Sequence, residues 1–533
     1  VSHTPDRPAA APWTLTASSA ALARDRASHP AVICEGRVTT YEELHRHSNR
    51  VAHALRAAGI GPGDRVAHLA RESEHYYAAI LACAKTGAVM VPVNWRLTER
   101  EAAHILRDSG AALLFTEGEF LALAERAVTG LADPPRLVRL DAPGQDAALD
   151  RGPGLRAWCG DAPDTDLDPG TGPDDPVVQI YTSGTTGLPK GAVLAHRSFF
   201  TLPAATREAA GEWIEWLPGD VNLISLPGLG IAGIGWFMHG FNAGSTNVLM
   251  RAFDPAEAVR LIEKHRVTTT FVAPAMLQMI LAEADRAGAA LDSLRTVAYG
   301  AAPISEGLLL RCLEKLTCAL VQIYSSTEAG SIAVCLPAAA HRPGSPLLAA
   351  AGLPCPGNEV KIVDGEGRPL PPGRVGEVCV RTPARMLGYW NLPEATARTL
   401  VDGWLHMGDA GYLDDDGYLF LCDRINDTII VGGQNIYPAE IEKQLSEHPA
   451  VADVAVVGVP HPEWGDEVHA CVLPRPGADV RPRELMTFLR GRIADYKVPV
   501  RYHLVDDLPR NPSGKILRRE VRQRLLAGAR SAR

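Results

Sequence analysis

Between residues 36 and 120 two hydrophobic periods take turns, and that alternation restricts the fold more than any other feature of the chain. Stretches such as "TYEELHRHSNRVAHALRAAG" and "HYYAAILACAKTG" space their apolar residues as helices with a buried face require. Between them stand apolar runs of strand length, "DRVAHLA", "AVMVPV" and "AALLFTE". Helix and strand in succession predict a layered α/β fold, because parallel strands need a long crossover and a helix supplies it. Further units follow, among them "DPAEAVRLIEKHR" leading into "VTTTFVAP". From residue 358 short β-rich runs with Asp/Gly turns take over, and from Arg424 a last segment has its own strand and helix pattern. The 533 residues exceed one ordinary core. The expected organisation is a large α/β N-terminal domain, residues 1–423, with layered sheets, helices and a β-rich subdomain, then an α+β C-terminal domain, residues 424–533.

Charge and cysteine usage narrow the partners. A net charge of −9 leaves no electrostatic footprint for nucleic acid or an anionic membrane. The ten cysteines are scattered singly, without C-x-x-C pairs, as small buried hydrophobes in a reducing compartment. "VSHTPDRPAAAPW" has no basic segment followed by an apolar one, so a cytoplasmic location is expected. Val221 to Met250 carries no Asp, Glu, Lys or Arg and is long enough for a bilayer, but Pro227 and several Gly and Asn residues interrupt it. It reads as short buried pieces forming a core or a pocket wall.

Directly after the apolar run "PVVQI", residues 181–191 read "YTSGTTGLPKG". A strand that opens into a glycine-rich turn exposes backbone N–H groups, and hydroxyls and a lysine add donors and charge suited to a polyphosphate. The Walker pattern does not fit, since Pro189 stands where its second glycine belongs and Gly191 follows Lys190. A Gly/Thr cluster is by itself also compatible with a plain surface loop. Only eight of the 53 basic residues are lysines, and Lys190 and Lys515 both sit in glycine-containing motifs where a compact point charge has a use.

Taken with "YGAAP" (299–303), "QIYSSTE" (322–328), "GWLHMGDAGYL", "DRINDTIIVGGQNIYPAEIE" and "LPRNPSGKILRR", this loop resembles the adenylate-forming superfamily of acyl-CoA synthetases, stand-alone adenylation domains and luciferases. The resemblance runs from "TYEEL" to "SGKILRR". It implies a small mobile C-terminal lid, and ATP, Mg²⁺ and CoA as cofactors. Thr182, Ser183, Gly184, Thr185, Thr186 and Lys190 would hold the β- and γ-phosphates. Gly300, Ala301, Ala302 and Pro303 would lie along the adenine, with Tyr324 stacked on it beside Ser325. Thr327 would touch the α-phosphate and Glu328 would bind Mg²⁺. Asp409 and Arg424 match the ribose contacts, Asn426 the hinge, Gly432 and Gly433 the thiol tunnel, and Lys515 the adenylation lysine. A cation bridging an attacking carboxylate and the α-phosphate lowers the barrier where two anions meet.

The chain departs from that pattern where the acid and the acceptor are handled. The pocket segment, commonly P-x-F-H-x-x-G, reads "PGLGIAG" here, so Leu229 and Gly230 replace the aromatic and the histidine. Ser325 replaces a glycine that often borders the acyl site. Leu229, Gly230 and Ile234 are the expected substrate-pocket residues. With no acidic residue between Val221 and Met250 to pair an ammonium, an amino-acid substrate is disfavoured. Apolar walls suit an aliphatic or aryl carboxylate. The first expectation is therefore an AMP-forming acid:CoA ligase. The alternative is an adenylating enzyme with another acceptor: a carrier protein, an amine, or nitrite activated for diazotisation of an aryl amine. A nucleotide-binding protein without catalysis would have no use for Lys515.

Overall fold

The computed structural model describes residues 13–140, 153–182, 189–209, 213–431, 434–461, 465–510 and 516–531. They fall into two compact units, bounded as Val1–Val360 with Val380–Leu405 and as Lys361–Cys379 with His406–Arg533. Residues 361–379 and 406–423, grouped with the N-terminal part on sequence, thus lie within the second unit.

The first unit is built on two sheets. One runs in the order Gly388–Tyr389, Lys190–Ala195, Pro176–Thr182, Val89–Pro92, Arg65–Leu69, Leu113–Glu117, Arg136–Leu140. Its last five strands are parallel, and Lys190–Ala195 returns antiparallel to Pro176–Thr182. The other has nine strands, with Ala319–Tyr324, Thr296–Gly300, Thr269–Val272, Val221–Ile224, Thr246–Leu249 and Pro30–Cys34 adjacent and parallel. The α/β expectation holds, with strands where the short apolar runs stood.

The helix Glu74–Thr86 shows why the architecture is layered. It touches strands of both sheets and is buried along almost its whole length, which its Ala-rich sequence permits. Its partner Tyr41–Ala57 is amphipathic instead and starts at a capping box: Thr40 Oγ1 accepts from the Glu43 N–H and the Glu43 carboxylate accepts from the Thr40 N–H. The uncharged stretch resolves into strand Val221–Ile224, helix Ile231–Asn242 and strand Thr246–Leu249. No described helix is long and apolar enough to cross a membrane.

The second unit holds an antiparallel sheet in the order Gln434–Ile436, Ile429–Val431, Gly465–Pro474, Val451–His461, with Arg501–Leu504 added in parallel to Gly465–Pro474. Helices Pro438–Ser446, Pro482–Leu489 and Arg518–Ser531 complete an α+β unit around Ile429, Ile441, Val456 and Leu485.

Two glycines of the uncharged stretch differ sharply in what surrounds them. A Cβ on Gly233 would stand 2.2 Å from the Pro227 carbonyl oxygen and 2.4 Å from that of Leu226, whereas one on Gly230 would meet nothing within 4 Å. Gly233→Ala is expected to destabilise the chain by about 1–3 kcal/mol, the cost of overpacking against backbone. Gly230→Ala, at an extended N-cap position where glycine is favoured over alanine, is expected to cost less, about 0.5–1 kcal/mol. Urea denaturation of the full chain measures both, and equal losses would contradict this account.

Candidate active site

Parallel strands deliver their following loops to one edge of the sheet, and ligands of open α/β sheets bind outside those carboxyl ends. In the nine-stranded sheet Val221–Ile224 leads to Leu226–Gly230, Thr296–Gly300 to Ala301–Pro303, and Ala319–Tyr324 to Ser325–Glu328. Three of the expected site segments therefore leave the same edge.

At the adenine segment the backbones come close together. A Cβ on Gly300 would lie 2.3 Å from the Ile323 carbonyl oxygen, which explains a glycine at this strand end. Ala301 follows with φ +63°, a conformation unusual for alanine, and Ala301, Ala302 and Pro303 are exposed. Tyr324 is half-buried at its strand end, and Ser325 Oγ donates to the Ser331 carbonyl.

The phosphate motif rests on the other sheet. Thr182 ends the strand Pro176–Thr182 directly opposite Lys190 in antiparallel register, so the strand ends that frame the motif are paired. Ser183, Gly184, Thr185 and Thr186 lie outside the described residues.

A residue that sequence reasoning passed over joins the two sets. Tyr389, on the edge strand Gly388–Tyr389 beside Lys190–Ala195, donates its hydroxyl to Glu328 Oε1 at 2.7 Å, and Lys190 Nζ stands 5.2 Å from the centre of its ring. Burial, then the adjacent Glu328 carboxylate, holds the Tyr389 phenol well above its ordinary value, so it remains a donor. The Glu328 backbone is held as well: its carbonyl accepts from the Met386 N–H at 2.8 Å. The Thr327 carbonyl accepts from Gly330 N–H at 3.0 Å, and Gly330, at φ +72°, has no room for a Cβ against the Ala384 carbonyl. "ARMLGYW" thus grips the turn "STEAG" from above and below. The sequence signal for Tyr389 was the glycine-aromatic pair in "LGYW", which has no meaning until the strand pairing is known.

Of the residues expected on the acid side, Leu229 and Gly230 are both half-buried at the start of the helix Ile231–Asn242. Gly230 caps that helix without a side-chain hydrogen bond, leaving first-turn N–H groups at the sheet's carboxyl edge, where an anion is favoured. Ile234 and Trp236 are buried in the interior.

In the second unit, Asp409 and Arg424 sit directly across from each other on the antiparallel strands Trp404–Leu413 and Leu419–Arg424. Asn426 belongs to the turn Ile425–Asp427. The side chains of Arg424 and Asn426, and all of Gly432, Gly433 and Lys515, lie outside the described residues. Arg518, three positions past Lys515, is a further residue not singled out on sequence. Its guanidinium meets Glu442 at 2.5 Å, Asp427 at 2.9 Å and Asp423 at 3.1 Å, so the two aspartates flanking residues 424–426 share one half-buried cation.

Among the described residues no three His, Cys, Asp or Glu side chains converge as a resident metal cage. Mg²⁺ bound mainly by phosphate oxygens and water needs only one or two carboxylates, and Glu328 fits that requirement.

Residues 19–390 match the AMP-binding enzyme family and residues 440–515 the AMP-binding enzyme C-terminal domain. The chain therefore belongs to the adenylate-forming superfamily, the AMP-forming acyl-CoA and acyl-carrier-protein ligases. It is 54% identical over 512 residues to the fatty acid–[acyl-carrier-protein] ligase ScoC of Streptomyces coeruleorubidus, covering 96% of each chain. It is 40% identical over 494 residues to a feruloyl-CoA synthase of an Amycolatopsis species, covering 92% of this chain and 94% of that one. Among solved structures, the anthranilate CoA ligase AuaEII in complex with anthranoyl-AMP superposes with a TM-score of 0.85 at 27% identity, over 96% of this chain and 98% of that one.

Removing the Tyr389 hydroxyl would free Glu328 while leaving the ring beside Lys190 in place. Tyr389→Phe is expected to raise the KM for MgATP about tenfold, the scale of a lost hydrogen bond to a charged group, with the acid's KM little changed. Acid-dependent pyrophosphate release at varied MgATP measures it. An unaltered KM would mean that the Tyr389–Glu328 contact does not serve nucleotide binding.

Proposed function

We propose that this protein activates a carboxylic acid with ATP and passes the acyl group to the phosphopantetheine thiol of an acyl carrier protein. The observation that carries the acceptor is 54% identity, along 96% of both chains, to a fatty acid–[acyl-carrier-protein] ligase. The geometry agrees with an altered acceptor side, because Gly230 opens onto free space where the family commonly has a histidine. CoA carries the same phosphopantetheine thiol, and the 40% identity to a feruloyl-CoA synthase supports CoA as a second reading. Between the two, the acyl carrier protein is the reading adopted here, in place of the CoA ligase first expected.

In the first step a carboxylate oxygen attacks the α-phosphorus, the bond to pyrophosphate breaks, and a mixed acyl–AMP anhydride forms. In the second, the thiolate attacks the acyl carbon and AMP leaves. Thr182, Ser183, Gly184, Thr185, Thr186 and Lys190 are assigned to the phosphates, Gly300–Pro303 and Tyr324 to the adenine, and Thr327 to the α-phosphate. Asp409 and Arg424 are assigned to the ribose, and Lys515 to the charge shared by acid and α-phosphate in the transition state. Mg²⁺ arriving with ATP would neutralise charge on the departing pyrophosphate, with Glu328 as its protein ligand. The lid is taken to begin at Arg424 and to turn about Asn426, with Gly432 and Gly433 lining the thiol's approach.

Mass spectrometry tests the acceptor. Purified protein with ATP, Mg²⁺ and a panel of fatty and aryl acids is expected to acylate a holo carrier protein faster than CoA. Exclusive formation of acyl-CoA would overturn the acceptor, and no acid-dependent pyrophosphate release would overturn adenylation. Lys515→Ala is expected to slow acid-dependent pyrophosphate release by about 10²-fold or more, the scale for a lost electrostatic stabiliser. Near-normal release by the folded variant would remove Lys515 from that role.

A further inference from the structure

The loop that presents Leu229 and Gly230 is held from below at a single residue. The Gly228 N–H donates to Glu72 Oε2 at 2.9 Å, and its carbonyl accepts from the Tyr76 hydroxyl at 2.5 Å. Both polar groups of that residue are thus taken by side chains more than 150 positions away in the chain. The approach is close enough to demand glycine, since a Cβ on Gly228 would lie 2.6 Å from the Tyr76 ring. Glu72 Oε1 in turn accepts from the Tyr77 hydroxyl. The Tyr77 ring stacks on Phe237, in the helix that follows the loop, with centroids 3.3 Å apart. Neighbouring side chains at the start of one buried helix therefore grip the loop and the helix behind it.

Glu72 is an expensive residue for this position. It is 3% exposed, and burial pushes its carboxyl up to about 7 against the bonds from Tyr77 and Gly228. An apolar side chain would fill the space without that penalty, so the position is explained by the acceptor it supplies. The charged group nearby is accounted for elsewhere: Arg251 pairs with Glu117 at 2.7 Å and reaches only the backbone carbonyl of Glu72. The loop is closed on its other side by the first turn of the helix, where Gly233 admits no Cβ against Leu226 and Pro227. Gly228 is the buried residue of this loop, and Leu229 and Gly230, half-buried, follow directly from it.

We infer that Glu72 and Tyr76 are positioning residues that hold Gly228 by both faces of its backbone and so set the Leu229–Gly230 rim against which the acid binds. This rests on the adenylation reading above for what the rim contacts, but the clamp itself does not. An acid whose carboxylate must meet the α-phosphate tolerates little displacement of the wall behind it. MgATP, held by other loops, would be indifferent to the clamp.

The test uses the full chain and four proteins: wild type, Glu72→Gln, Glu72→Ala and Tyr76→Phe. Steady-state pyrophosphate release, with the acid the wild type turns over best, yields separate KM values for acid and MgATP. Glu72→Ala and Tyr76→Phe are expected to raise the acid's KM about tenfold, the scale of one lost buried hydrogen bond, while the MgATP KM stays within about twofold. Glu72→Gln, which keeps an oxygen for the Gly228 N–H, is expected to stay within about twofold of wild type for both. An unchanged acid KM in the folded variants, a joint rise of both constants, or Glu72→Gln failing as badly as Glu72→Ala would each overturn the clamp. If Glu72→Ala does not fold, Tyr76→Phe decides, since it loses only a hydroxyl. Hydrogen exchange of peptides covering 226–230 gives a readout that needs no turnover: Glu72→Ala is expected to lose protection there and Glu72→Gln to keep it. Unaltered exchange in Glu72→Ala would refute the clamp even in a protein that adenylated nothing. Failure of the adenylation reading, by contrast, would show in the wild type.

Discussion

Three of the expected site segments depend on six neighbouring strands of one sheet running the same way. Parallel pairing compels each strand to be followed by a crossover, and every crossover leaves from the carboxyl edge. Leu226–Gly230, Ala301–Pro303 and Ser325–Glu328 are distant in sequence and chemically unlike, yet the topology brings them to one edge. The phosphate motif belongs to a different sheet, so a second constraint is needed. The pairing of Gly388–Tyr389 with Lys190–Ala195 supplies it, because Tyr389 then reaches Glu328. A hydroxyl that stays protonated is suited to this junction: it can hold a carboxylate in place without neutralising it.

Buried ionisable groups recur wherever a loop or turn must be held still. Glu72 holds Gly228. Lys85, 1% exposed, donates to Ser48 Oγ at 2.6 Å and to the His45 carbonyl at 3.1 Å, and burial pulls it down to about 7. His45 in turn contacts Asp166 at 2.6 Å, anchoring the connection that precedes the strand Pro176–Thr182. Arg518 collects three carboxylates around residues 423–427. Such groups add little net stability, since desolvation offsets much of the attraction. Their value is geometric: an apolar contact tolerates sliding, whereas a hydrogen bond to a backbone N–H specifies one position.

The fold class was legible because its periods are local: a helix or strand shows itself within a dozen residues, and the strands of the first unit stand where the apolar runs predicted them. The breaks in Val221–Met250 were legible for the same reason, as Pro227 and the glycines act on their immediate neighbours. Thr182 and Lys190 could be singled out because a glycine-rich turn carries chemistry within a few positions, and Glu328 through its resemblance to the family motif. Glu72, Tyr389 and Arg518 could not. Their partners lie 156, 61 and 76 to 95 residues away, and each looks in isolation like an ordinary helix-start acid, strand aromatic or surface arginine. The division of the chain was opaque for a related reason: residues 361–379 join the second unit through contacts made far along the chain, without a linker-like composition to mark them.

The two half-reactions make unequal demands, and the departures from the family pattern follow that inequality. Adenylation needs donors for three phosphates, a carboxylate for the accompanying cation and a lysine for the reacting oxygens, and residues suited to all of these occur in the motifs. Thiol transfer needs a path to the acyl carbon and a rim that admits the incoming group. On the proposed reading Gly230 stands at that rim; its conformation is extended, which any residue could adopt, and no neighbour excludes a side chain. Backbone geometry therefore does not require glycine there, unlike Gly228 and Gly233, where a Cβ would strike a ring or a carbonyl. A glycine that neither φ nor packing demands still has two uses here, as a favourable helix N-cap and as an open space beside the loop. Two crowded glycines and a buried carboxylate hold the loop on either side of this one open position, which on the proposed reading faces what approaches the site.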